Sequence, residues 1–384
     1  MSGRNSRNSH SRRRIQSIQS IHTISGPVSA RMYDMTGLGG KGTLYLLGDV
    51  HFSDDHACTP CKAADGCASV TAFIDRLAAD KTRQLDVFVE LPYIPRPGQT
   101  GNRSRALSAL DRRFGTSAAS MTRGQLRDGA SDIYVGVLGH LFKRYRDRIY
   151  DRPSRDLSHM RVHFADIRLE PNVNVLLRPE WVNAHVTSVD MLRAVMRAFM
   201  YGPDFVGEIT RAVGAVGAQH IATTTLSSDK CHKVAKQFLA SPDNAVKGAM
   251  RKYLDDRLEE LMVIFVHEVG FPLAPSPRNH PTSDMYYKEW LGDIWAAHIK
   301  AYNWALARAV RFGLRVLVMD AYLVGRMMRF GTQGDAVIYV GDSHADLYAR
   351  FLHDYLALQP KNSHLADSRR SRGGRERRCV SLTG

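Results

Sequence analysis

A chain of 384 residues, 44% hydrophobic and 24% charged, is long and apolar enough to bury one large core or two average ones. Its formal net charge of +15 has the look of a nucleic-acid binder, but residues 1–31 hold six Arg and no acid, and residues 361–384 hold one Lys, six Arg and two acids. The body between is close to ordinary, which removes the charge argument for a dedicated nucleic-acid domain, and the longest fully apolar run, Leu261 to Val266, is far below the ~18 residues of a membrane span.

Both ends are rich in Ser, Asn, Gly and Arg and are predicted to be disordered basic tails, residues 1–40 and 359–384. Tails of this kind suit weak, non-specific contact with nucleic acid or anionic surfaces. The cluster Arg12-Arg13-Arg14 is followed by Ile15, Ile18 and Ile21 separated by polar residues, so it does not read as a signal peptide. A soluble protein is expected, and the sequence leaves its oligomeric state open.

The body opens on Thr43 to Cys61, in which the apolar run Leu44 to Leu47 stops at Gly48-Asp49-Val50-His51. That is the pattern of a buried strand delivering polar side chains at its carboxyl end. His56, Cys58, Cys61 and Cys67 crowd the loop that follows. They suit a small zinc knuckle, a disulfide staple in an oxidising place, or free thiols. Val70, Phe73, Ile74 and Leu77 then repeat at helical spacing. Leu85 to Val89 is a β-branched, aromatic strand ending in Glu90, with Pro92, Pro95 and Pro97 beyond it.

A Gly/Arg/Ser-rich insertion precedes a helix predicted over 132–147, and a short strand over 161–165 ends in Asp166 and Arg168. Residues 187–312 are dominated by helical patterns, including 245–267 and 285–312, and read as a lid inserted into the α/β core. The core is thus assigned to 41–186 and 313–358. Gly313 stops the long helix, and Arg315 to Met319 is predicted as a strand ending in Asp320. Ala336 to Val340 is the last strand and repeats the first motif as Gly341-Asp342-Ser343-His344, with a helix predicted from Ala345 to Leu358.

Alternating strands and helices predict an α/β fold with a central, largely parallel sheet flanked by helices. Chemistry in such sheets sits at the carboxyl ends of the strands. His51, Glu90 and His344 are therefore the candidate catalytic and metal-ligating residues. Imidazole and carboxylate together suit a divalent ion such as Mn, Co or Zn, or metal-free acid-base chemistry. Asp49, Asp342, Asp166 and Asp320 are expected to orient these groups, and Arg168 to stabilise a developing oxyanion. Glu90 as a helix cap, and Asp166 with Arg168 as a structural ion pair, are the structural alternatives.

The order strand-GxxH, strand-Glu, helical middle, strand-GxxH resembles the superfamily of TraB/TIKI proteases, erythromycin esterases and ChaN-like haem-binding proteins. The resemblance implies that Gly48 to His51, Glu90 and Gly341 to His344 line one cleft. Asp49 departs from it, because the esterases of this group tend to show Glu there. The phrases YLLGDVHFS, VFVELP and YVGDSHADLY also look like proteins of giant DNA viruses, which would imply a host-cytoplasmic or virion setting. A hydrolase of ester or amide bonds acting on a small molecule or peptide is the leading expectation. A non-catalytic metal- or haem-binding or virion protein is the rival. Gly-Asp-x-His also resembles calcineurin-like metallophosphoesterases, although their later GDxxD and GNH motifs are missing.

Overall fold

The computed structural model describes residues 21–50, 61, 66–92, 141, 144–145, 159–166, 244–269, 315–330, 333–365 and 379–382. The chain divides into two compact units, residues 1–166 with 326–384, and residues 167–325. The described elements begin with β1 (Thr23–Ser25), β2 (Ser29–Asp34), a 3-10 turn at Met35–Leu38, β3 (Thr43–Asp49), β4 (Cys67–Ser69), α1 (Val70–Leu77), β5 (Leu85–Pro92) and β6 (Met160–Asp166). They continue with α2 (Asn244–Val269), α3 (Arg315–Phe330), β7 (Asp335–Gly341), α4 (Asp342–Arg350), a π turn at Phe351–Tyr355, β8 (Pro360–Leu365) and β9 (Cys379–Ser381).

The first unit is built on a six-stranded sheet in the order β6-β5-β7-β3-β2-β8. β6, β5, β7 and β3 run parallel, and β2 and β8 add antiparallel pairings at one side. The sheet is therefore largely parallel, as the alternation of elements predicts. Every residue of β7 is buried, and Leu44, Leu46 and Leu47 of β3 are fully buried. Covered on both faces, these strands read as continuous apolar runs rather than alternating ones.

The topology positions the site. β7 enters the sheet between β3 and β5, so the chain's second Gly-Asp-x-His motif leaves the sheet flanked by the first motif and by Glu90. Register makes this explicit: Asp49 pairs with Gly341, and Val89 pairs with Tyr339. α1 starts at Ser69, whose hydroxyl accepts the Ala72 backbone N–H at 3.2 Å, a helix cap of ordinary type. Val70, Phe73 and Ile74 form its buried stripe, and Phe73 meets Tyr45 of β3 edge to face at 5.1 Å between ring centres.

A second sheet joins the outer parts of the unit in the order β4-β1-β9. β1 and β2 fall in the stretch assigned from composition to the first tail, and β8 and β9 in the stretch assigned to the second. Those boundaries are corrected. Tyr33 and Ala30 of β2 are buried, and its charged residues are paired: Arg31 donates to Asp346 at 2.5 Å, and Asp34 meets Lys361 at 2.7 Å. Composition placed those charges in a disordered tail, whereas each is paired, Arg31 with the helix α4 and Asp34 with β8.

The strand predicted at 315–319 is also corrected, because these residues open the helix α3. Leu317, Asp320, Ala321, Val324, Met327 and Met328 are buried, an i, i+3, i+4, i+7 stripe that a five-residue window cannot display. α4 begins at Asp342, three residues ahead of the predicted Ala345, and helical winding continues through the π turn to Tyr355. Of the helix predicted over 132–147, residues 141, 144 and 145 are described and helical, with Tyr145 donating its hydroxyl to Asp75 at 3.0 Å. In the second unit, α2 covers the predicted 245–267 and buries Val246, Met250, Tyr253, Leu254, Leu258 and Leu261. The other helices predicted within 187–312 lie outside the described residues. No described helix is long and apolar enough to cross a membrane.

Candidate active site

Two of the residues expected at one rim meet. Glu90 near the end of β5 and His344 in the first turn of α4 lie 3.7 Å apart, Oε1 to Nε2, and their side chains are 8% and 7% exposed. The other carboxylate oxygen, Glu90 Oε2, accepts the backbone N–H of Gly341 at 2.7 Å. Gly341 is the N-cap of α4, so Glu90 satisfies one of the donors left open at a helix start. The capping role and the rim position therefore belong to the same carboxylate, with one oxygen turned to the backbone and the other to the imidazole. His344 is backed along α4 by Tyr348, 6.2 Å between ring centres, and Ala345 and Tyr348 are fully buried.

The aspartates of the two motifs sit differently. Asp49 is buried and accepts the N–H of Val50 at 2.8 Å. Asp342 accepts a short hydrogen bond from the hydroxyl of Ser29 on β2, a residue with no exposure. Gly48 makes this arrangement fit. A Cβ there would stand 2.3 Å from Asp342 Oδ1 and 2.4 Å from Ser29 Oγ, closer than atoms tolerate. The first motif's glycine is thus the space in which the second motif's aspartate is held. Ser29 was not singled out from sequence, and a serine beside Gly-Pro-Val carries no signal that would have marked it.

Asp166 ends β6 and is buried, paired in register with Pro92. Asp320 does not end a strand. It is a fully buried residue within α3, and its expected place at the rim is withdrawn. His51, His56, Cys58 and Arg168 lie outside the described residues. Cys61 and Cys67 form a disulfide, so of the readings for that loop these two sulfurs take the staple and are not zinc thiolates. Cys379 of β9 is disulfide-bonded as well.

The described residues offer little for a metal. None of them form a group of three His, Cys, Asp or Glu placed to hold an ion. Glu90 and His344 do offer one oxygen and one nitrogen. Two ligands at ~2 Å from a common ion stand up to about 4 Å apart, so their 3.7 Å separation fits a shared ion. The same separation also fits a water about 2.8 Å from each atom. The chain matches no protein-family model, no curated protein and no solved structure.

Proposed function

We propose that the chain is a hydrolase of ester or amide bonds whose reacting water is handled by Glu90 and His344. The observation that carries this reading is the buried pair itself, a carboxylate oxygen and an imidazole nitrogen 3.7 Å apart at the carboxyl edge of a parallel sheet. Glu90 is held on one side by the Gly341 N–H, which fixes the direction of its second oxygen. That oxygen is the general base for a water lodged between the two groups. The imidazole orients the water, and the proton Glu90 takes from it passes to the leaving group as the tetrahedral adduct collapses. Burial keeps bulk water from competing.

The resemblance to the TraB/TIKI, erythromycin-esterase and ChaN-like superfamily supports the same pair and adds His51 as a third member. With a divalent ion bound, Glu90 and His344 would be two of its ligands, and the ion would lower the pKa of the water. Without one, the pair acts as acid and base alone.

The test is a hydrolysis panel of activated carboxylic esters, peptides and phosphate monoesters, run on full-length protein with metal content measured and then stripped by chelation. Turnover of esters or amides, lost in His344→Ala, supports the proposal. Turnover of phosphate esters alone would move the chain to the metallophosphoesterase reading, and bound metal or haem without turnover would make it a binding protein.

A further inference from the structure

A second buried polar cluster lies on the same sheet, four residues before Glu90 along β5. Asp86, with no exposure, accepts three charge-assisted hydrogen bonds. Arg161 of β6 donates to it twice, Nε to Oδ1 and Nη2 to Oδ2, both at 2.7 Å. His163 of β6 meets Asp86 Oδ1 through Nε2 at 2.6 Å. The opposite ring nitrogen, His163 Nδ1, lies 2.7 Å from Nη2 of Arg326 near the end of α3. Phe88 of β5 stacks on the imidazole at 4.5 Å.

This chain of contacts fixes the protonation state. A guanidinium only donates, so Nδ1 must be the unprotonated, accepting nitrogen, and Nε2 carries the hydrogen that goes to Asp86. A proton added to Nδ1 would face the Arg326 donor with a second donor and a second positive charge. Burial first, and the positive charge of Arg326 next, push the His163 pKa down against the opposing pull of Asp86.

We propose that His163 is an acid-sensitive latch: while neutral it holds Arg326, and with it the Arg326–Phe330 end of α3, on β5 and β6, and protonation releases that end. Among the described residues, the charged groups facing the ring are Asp86 from β5, Arg161 from β6 and Arg326 from α3. Of these three, Asp86 favours the protonated ring, and its carboxylate is already shared with Arg161. The hydrolase reading does not enter this inference, and neither stands or falls with the other.

The test combines histidine NMR on the full chain with amide hydrogen exchange at pH 7.5 and pH 5. The expected spectrum shows His163, assigned by its loss in His163→Asn, as the neutral Nε2–H tautomer, still neutral where an ordinary histidine of pKa ≈ 6.5 has begun to titrate. Protection factors for residues 326–330 and 160–166 should fall severalfold at pH 5 relative to pH 7.5. In Arg326→Gln that fall should disappear, because an amide oxygen can accept from the protonated ring. An Nδ1–H tautomer, an ordinary titration of His163 in the folded protein, or an unchanged pH response in Arg326→Gln would overturn the proposal.

Discussion

At Gly48 a single hydrogen atom in place of a side chain lets two distant segments touch. Ser29 and Asp342 are 313 residues apart, and their hydrogen bond occupies the space a Cβ at Gly48 would need. Gly48→Ala must displace the Asp342 carboxylate, the Ser29 hydroxyl or both, and should cost about 1–3 kcal/mol as an overpacked core site. Chemical denaturation measures it, and an unchanged midpoint would show that the site yields freely. Glu90 and His344 were legible at this scale because a polar residue that ends an apolar run has few reasons to be there. Ser29 was not legible, since its partner is chosen by the fold. Asp320 ended an apolar run too, yet it is a helix residue, so that cue alone does not separate a strand end from a helix turn.

The parallel strands β3, β5 and β7 were readable as elements because burial on both faces leaves a largely apolar signature, and β6 because its short run alternates. β2, β8 and β9 were not, because short outer strands take polar residues that composition assigns to solvent. What secures them is cross-strand pairing and covalent linkage. β4 and β9 flank β1, and each carries a disulfide cysteine, Cys67 and Cys379. The Cys61–Cys67 bridge spans a sequence separation of six, and a loop that short removes about 2 kcal/mol of chain entropy from the unfolded state. Cys67→Ser should lower unfolding free energy by about that amount under oxidising conditions, and treatment with a dithiol reductant should remove the difference between variant and parent. A difference that survives reduction would place the effect in packing rather than in the bridge.

For the molecule as a whole, the sheet order converts a sequence repeat into a site. β7 inserts between β3 and β5, and that insertion brings Glu90 to a helix 251 residues further along the chain. Strand ends could be read from sequence, but their neighbours could not, because β7 pairs with strands whose carboxyl ends lie about 250 to 290 residues earlier. Two tyrosines of the same sheet, the buried Tyr33 and the half-buried Tyr45, report on its integrity. Burial pushes Tyr33 and Tyr45 up from 10.0 to about 12. Between those values the unfolded chain has lost protons that the folded chain keeps, so stability should be full below pH 10 and fall as pH rises towards about 12. A denaturation midpoint flat across that range would contradict their burial. The central claim is that Glu90 and His344 act on one water, and kcat/KM for ester hydrolysis by Glu90→Gln and His344→Asn beside the parent tests it most directly. The account predicts a loss of about 10²-fold or more in each, with the double variant no worse than the poorer single one; two full-strength losses that multiply, or variants as active as the parent, would contradict it.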